Sequence, residues 1–168
     1  TGAMDYWPNI DAVSWFARDV LPRVRAAWPR ARFHIVGRGP SAAVRELAAA
    51  DVIVSGTVPD VRPYLQHAAV VVAPLRLARG IQNKALEAMS MTLPVLATQD
   101  ALLGIVDFPG LLSIVANDAE TMKAAALEIL ARPRQTNSAG RTCVLEHYNW
   151  DTNLRRMERF LVSDGESR

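Results

Sequence analysis

Ala69-Val70-Val71-Val72-Ala73 is apolar at every position. It runs into Pro74-Leu75-Arg76-Leu77-Ala78-Arg79-Gly80-Ile81-Gln82 and then Asn83-Lys84-Ala85-Leu86-Glu87-Ala88-Met89. A strand wetted on one face alternates apolar and polar residues, whereas an unbroken apolar run suits a strand covered on both faces. The loop that follows carries arginine and glycine, and a helix is expected from Asn83 to Met91. Strand, loop, helix is the repeating unit of a parallel sheet.

The same unit recurs on either side. Upstream, Arg32-Phe33-His34-Ile35-Val36 ends at Gly37-Arg38-Gly39-Pro40, and a helix is expected over 41–50. Asp51-Val52-Ile53-Val54 is closed by Ser55-Gly56, and Pro59-Asp60 opens a helix through Ala68 with Asp60 as its cap. Downstream, strands are expected over 94–97 and 111–115, with helices near 118–131, 134–147 and 151–162 and a frayed end over 163–168. At the start, Asn9 or Asp11 caps a helix whose apolar residues include Val13, Trp15, Phe16, Val20, Val24 and Trp28, and Pro22 should kink or break it. Thr1-Gly2-Ala3 reads as the tail of a strand, and the expectation is a single domain, residues 1–168, cut from a longer protein. The fold class is therefore α/β, a doubly wound Rossmann-like parallel sheet of about six strands with helices on both faces.

Bulk properties narrow the function classes. Of 19 basic residues only Lys84 and Lys123 are lysines, the net charge is +2, and no basic run exists. That argues against nucleic acid as a partner. Cys143 stands alone, and His34, His67 and His147 lack ligand-like spacing, so no metal is expected. Without an apolar run of about 18 residues or a signal peptide, the default location is cytoplasmic.

In a doubly wound sheet ligands bind beyond the carboxyl ends of the strands. Three loops leave that way: Gly37–Pro40, Gly56–Asp60 and Leu75–Asn83. The third holds the most chemistry. The free amides of a helix N-terminus at Asn83 attract an anion, Gly80 lets backbone approach closely, and Arg79 and Lys84 can add charge-assisted bonds to a diphosphate. Glu87, one turn on, could accept from both hydroxyls of a ribose, or pair with Lys84 as an ordinary surface couple. Gly37-Arg38-Gly39 lacks the third glycine of a dinucleotide fingerprint, and no Gly-x4-Gly-Lys phosphate loop is present.

These residues together resemble a family. Gly80 to Glu87-Ala88-Met89-Ser90, followed by Leu93-Pro94-Val95-Leu96-Ala97-Thr98, is similar to the signature of the GT-B-fold retaining glycosyltransferases of group 1 (family 4). Ile35-Val36-Gly37-Arg38-Gly39-Pro40 resembles that family's glycine turn. Val54-Ser55-Gly56-Thr57-Val58 with Tyr64-Leu65, and Tyr148-Asn149-Trp150 before a last helix, resemble further units in the same order. Arg at position 79 resembles an exopolysaccharide-associated subgroup of that family.

The resemblance implies a C-terminal domain that binds a nucleotide-diphosphate sugar, UDP- ahead of GDP-, with no cofactor and no obligatory metal. Glu87 would take the ribose diol. Gly80, Ile81, Gln82 and Asn83 would face the phosphates and sugar, with Arg79 and Lys84 beside them. Gly37 and Arg38 would flank the nucleotide, while the Val58 backbone and Leu65 would border the base. The chain's own N-terminal domain, outside this sequence, would bring the acceptor, a sugar or lipid-linked glycan at the inner membrane face. The fragment alone is then expected to be inactive, with a dimer through its bared apolar face as a side effect.

Two departures stand out. The first acid of the family pattern is replaced by Arg79, which is left as a catalytic candidate, the other catalytic groups being unknown. The opening loop reads Gly2-Ala3-Met4-Asp5, without the Arg and Lys expected there. The rival readings are a degenerate sugar-nucleotide-binding or scaffolding module, and an unrelated doubly wound domain such as an epimerase or receiver. Trp7, Trp15 and Trp28 are expected in core or interdomain packing, and Trp150 as a helix-entry anchor.

Overall fold

In the computed structural model, which describes residues 1–134, 136–151 and 153–154, five parallel strands alternate with helices. The first helix is α1 (Trp7–Trp15), with Pro8 in its first turn, where a missing N–H costs nothing. It passes through a π-helical turn, Phe16–Val20, into α2 (Leu21–Ala27). Pro22 explains the widening: its ring would collide with the carbonyl four residues back in a regular α-helix, and the π turn makes room. The expected break at Pro22 is thus a bulge just ahead of it. Neither Asn9 nor Asp11 caps α1, since that place belongs to Tyr6.

Next come β1 (Phe33–Val36), α3 (Ala42–Arg45) and β2 (Val52–Gly56). The helix expected over 41–50 is a single turn, capped by Ser41. α4 (Arg62–His67) starts two residues beyond Asp60, because the Asp60 carboxylate folds back onto the Arg62 N–H and guanidinium. β3 (Val71–Ala73), α5 (Asn83–Ser90) and β4 (Val95–Ala97) follow. Then come α6 (Gln99–Leu102), absent from the sequence reading, and β5 (Ser113–Val115). α7 (Ala119–Ala131) is closed by an Asp118–Thr121 capping box, and α8 (Ser138–His147) is capped by Asn137. Most of the helix expected over 151–162 and the frayed end lie outside the described residues.

The strands form two ladders rather than one sheet of six: β1 with β2, and β3-β4-β5 in that order, all parallel. Residues 1–4 run beside the exit of β1, with Gly2 N donating to Val36 O at 3.2 Å and Met4 N to Arg38 O at 2.8 Å. Helices cover both faces, and successive strand residues serve opposite layers, as the two-residue period requires. Leu96 joins the layer under α1, α2 and α7, while Val95 and Ala97 join the layer under α5 and α8. Met4 is buried in the first layer. Of the tryptophans, Trp15 packs partly against that layer. Trp7, at 60% exposure, and Trp28 do not share in the core, and Trp150 stands out in solvent at 79%. The Tyr148 hydroxyl instead does the anchoring, accepting from Val106 N and donating to Gly104 O.

Candidate functional site

The carboxyl ends of β1, β2 and β3 open toward one rim, and each predicted loop leaves there. Gly37 and Gly39 turn the chain after β1. Gly39 and Gly56 have φ of +59° and +70°, conformations that glycine adopts without a steric cost. Gly37 serves a closer approach: a Cβ on it would lie 1.7 Å from the Gly2 carbonyl oxygen. Arg38 is exposed on the turn, its carbonyl held by Met4. Val58 is half-buried after β2. The Leu65 side chain is buried at 4% exposure.

The β3–α5 loop is held from several directions. Arg76 forms an ion pair with Asp11 of α1, its Nε 3.0 Å from the carboxylate, and stacks over Trp15 at 5.7 Å. The pairing holds its pKa above the usual guanidinium value. Thr98, at the end of β4, donates its hydroxyl to Leu75 O. Gln82 donates from Nε2 to the carbonyls of Arg79 and Gly80, at 3.3 and 3.2 Å, which closes the turn that Gly80 (φ +68°) makes possible. No side chain caps α5 at Gln82, so its first amides face outward. Arg79, Gly80, Ile81, Asn83 and Glu87 are exposed around them.

Lys84 departs from the arrangement expected. It is half-buried, it points back to α1, and its Nζ donates to Asn9 Oδ1 at 2.5 Å. It forms no ion pair with Glu87. Burial pulls its pKa down to about 8, with the Glu87 charge opposing the shift. Asn9 Nδ2 in turn donates to Ala3 O at 2.8 Å, and Thr1 Oγ1 lies 3.4 Å from Glu87 Oε2. Residues 1–5, the Gly37 turn and the start of α5 are thereby brought together. Asn9, read from the sequence only as a helix cap, is the residue whose place here was missed. Its signal was spacing, since Asn9, Ala12, Val13 and Phe16 share the buried face of one helix, and a polar residue there needs a partner.

Chemically the rim offers outward amides, an exposed arginine, a carboxylate one turn away and a half-buried lysine bonded to Asn9. That set can hold a phosphate-bearing ligand with a diol.

Comparison with known proteins identifies the family and the fold. The family described as Glycosyl transferases group 1 matches residues 1–132. No curated protein matches the chain. Among solved structures, a sucrose-phosphate synthase of Thermosynechococcus elongatus is similar at 21% identity with a TM-score of 0.68, over 94% of this chain and 43% of that one. TarM is similar at 18% identity and 0.67, over 94% and 34%. A trehalose 6-phosphate synthase of Burkholderia multivorans is similar at 14% and 0.63, over 97% and 40%. The chain therefore spans less than half the length of these structures, and the likeness to them establishes the fold.

Proposed function

The chain belongs to the group 1 glycosyltransferases, and from that premise we propose that it is the donor half of such an enzyme, binding a nucleotide-diphosphate sugar for retaining transfer. The observation that carries the reading is the convergence of the uncapped α5 N-terminus, Arg79 and Glu87 on one rim at the strand ends. The α5 amides and Arg79 take the diphosphate, and Glu87 accepts from the ribose hydroxyls. The Gly37-Arg38 turn flanks the nucleoside. A uridine nucleotide is the favoured donor, in keeping with a similar trehalose-phosphate synthase described as UDP-forming.

In transfer, the bond from the anomeric carbon to the diphosphate breaks and a bond to the acceptor oxygen forms on the same face. The acceptor's proton leaves with the nucleoside diphosphate. The protein's part is to stabilise the negative charge that grows on the leaving phosphate, where each well-placed donor is worth about 3–4 kcal/mol. Neither step requires a metal in this reading. The acceptor would sit on a second domain, and closure over the rim would exclude water. Chain and partner domain would work on the cytoplasmic side, at the membrane face when the acceptor is lipid-linked. No helix among the described residues is long and apolar enough to cross a membrane.

The second reading, a sugar-nucleotide-binding module without transfer, draws on Arg79, which stands where the family resemblance places an acid. Assay of the full-length protein separates the two. The donor reading itself is tested by titrating this chain with UDP, GDP and ADP while following thermal unfolding. At 100 times its dissociation constant the true ligand adds about 2.7 kcal/mol, and Glu87→Ala should cut the shift sharply. No shift from any of the three at millimolar concentration would sink it.

A further inference from the structure

Two arginines leave β3 in the same loop and end differently. Arg79 is exposed beside the α5 amides, while Arg76 is drawn away to α1. Its Nε donates to Asp11 Oδ2 at 3.0 Å and its Nη2 donates to Oδ1, so the planar fork engages both carboxylate oxygens. Asp11 and Trp15 stand one turn apart on α1, and the guanidinium lies 5.7 Å from the centre of the Trp15 ring. Among the described residues, Arg76 is the only side chain of residues 74–82 that hydrogen-bonds to another element.

Magnitude decides what such a pair does. The Arg76 side chain is 49% exposed and that of Asp11 16%. A pair half in solvent adds little to stability, because water screens the attraction and ordering two side chains opposes it. What it fixes is a direction. Residues 74–82 separate β3 from α5 without regular structure. At one end the Thr98 hydroxyl holds Leu75 O, and at the other Gln82 closes the turn at Gly80. Between those ties Ala78 packs on the core layer under α5, and Arg76 alone reaches α1.

We propose that Arg76 is a positioning residue of the donor site: held by Asp11 and Trp15, it sets the β3–α5 loop in the shape that presents Arg79 and the α5 amides to a diphosphate. The proposal rests on the donor reading above. Donors fixed before the ligand arrives spare it the cost of ordering them, so loosening the loop weakens binding without removing a contact. A small effect on stability and a large one on affinity are therefore expected together. A direct role for Arg76 as a phosphate ligand, restrained by Asp11, predicts the opposite sign.

The test is Asp11→Asn, which removes the charge and leaves Arg76 in place, with UDP and inorganic pyrophosphate as probes. Calorimetric titration should show both bound about tenfold more weakly. Tm should move by no more than about 3 °C. Backbone order parameters over 77–82 should fall from about 0.85 toward 0.6, with β3 and β4 unchanged. Arg76→Lys keeps the charge, loses the fork and should weaken binding as much. Exchanging the pair, Asp11→Arg with Arg76→Asp, should recover most of the loss. Tighter binding in Asp11→Asn would overturn the proposal, because Arg76 would then be a ligand set free. So would an exchanged pair that binds worst of all, or loop order unchanged in Asp11→Asn. Binding that falls in Glu87→Ala but not in Asp11→Asn overturns this proposal and leaves the donor reading standing. A parent chain that binds neither probe overturns both.

Discussion

Lys84 and Asn9 meet across α5 and α1, the ammonium donating to the amide oxygen at 2.5 Å while the same amide donates to Ala3 O. One buried asparagine thus fixes α5 and the N-terminal residues together. Asn9→Leu would fill the space and strand both partners. Leaving a buried ammonium and a carbonyl without bonds costs about 1–3 kcal/mol each. Urea unfolding should show that loss, and a variant as stable as the parent would show that water replaces the amide.

The Lys84 charge also sets a pH dependence. Burial lowers its folded-state pKa to about 8 from an ordinary 10.5. Between those values the unfolded chain binds more protons, so stability rises with pH across the window, and the buried charge is felt in full below about 8. The group opposing the shift is Glu87, whose charge favours the ammonium. The urea midpoint should therefore climb from pH 8 to pH 10, and Lys84→Met should flatten that climb. A flat profile in the parent chain would contradict the burial argument.

Gly37 carries a steric prediction. With a Cβ placed 1.7 Å from Gly2 O, alanine cannot enter unless residues 1–4 leave β1. Gly37→Ala should cost about 2–4 kcal/mol and expose Met4, which is 1% accessible in the fold. Gly39→Ala, which meets only the Asp5 side chain at 3.3 Å, should cost less despite its φ of +59°. The order of the two midpoints checks whether close approach or turn conformation dominates.

The alternation of apolar strands with helices was legible because burial on both faces writes itself into Val70-Val71-Val72 and Pro94-Val95-Leu96-Ala97. The gap between ladders was not, since nothing in the residues of β1 or β3 says which neighbour is present. Short-range chemistry misled in places. Asp60 has the residue type of a cap, but its Asx turn with Arg62 delays α4. Lys84 and Glu87 lie three apart and suggested a pair, and only the fold reveals that α1 offers Lys84 a better acceptor.

At the end of α5, Thr92 holds φ +62°, a left-handed conformation unfavourable to a β-branched residue. Leu93 N bonds Ala88 O and Thr92 N bonds Met89 O, the closure that glycine usually makes. Thr92→Gly should therefore stabilise the chain by about 1 kcal/mol, a rise of a few degrees in Tm. A lower Tm would mean that the threonine side chain contributes a contact worth more than its strain.

Asn137 is the opposite case, a buried polar residue at 1% exposure with both ends of its amide bonded. Its Oδ1 accepts from Leu112 N and Gly140 N, and its Nδ2 donates to Leu93 O. It joins β5, α8 and the end of α5. Asn137→Ala should cost about 3 kcal/mol, because two buried backbone groups and a partly buried one lose their partner at once. Calorimetry on that variant, with Asn137→Asp as the isosteric control, separates loss of the cap from loss of the donor to Leu93.

Glu87 gives the sharpest check on the donor reading. A carboxylate accepting from two vicinal hydroxyls is sensitive to each, so removing the 2′-hydroxyl of UDP should weaken binding about tenfold, near 1.4 kcal/mol. In Glu87→Ala the nucleotide and its 2′-deoxy form should bind alike, since the partner of that hydroxyl is gone. The coupling between the two changes, measured by calorimetric titration, isolates the contact from any general loosening of the rim. A discrimination that survives in Glu87→Ala would assign the ribose to some other group, with the Gly37-Arg38 turn the next place to look.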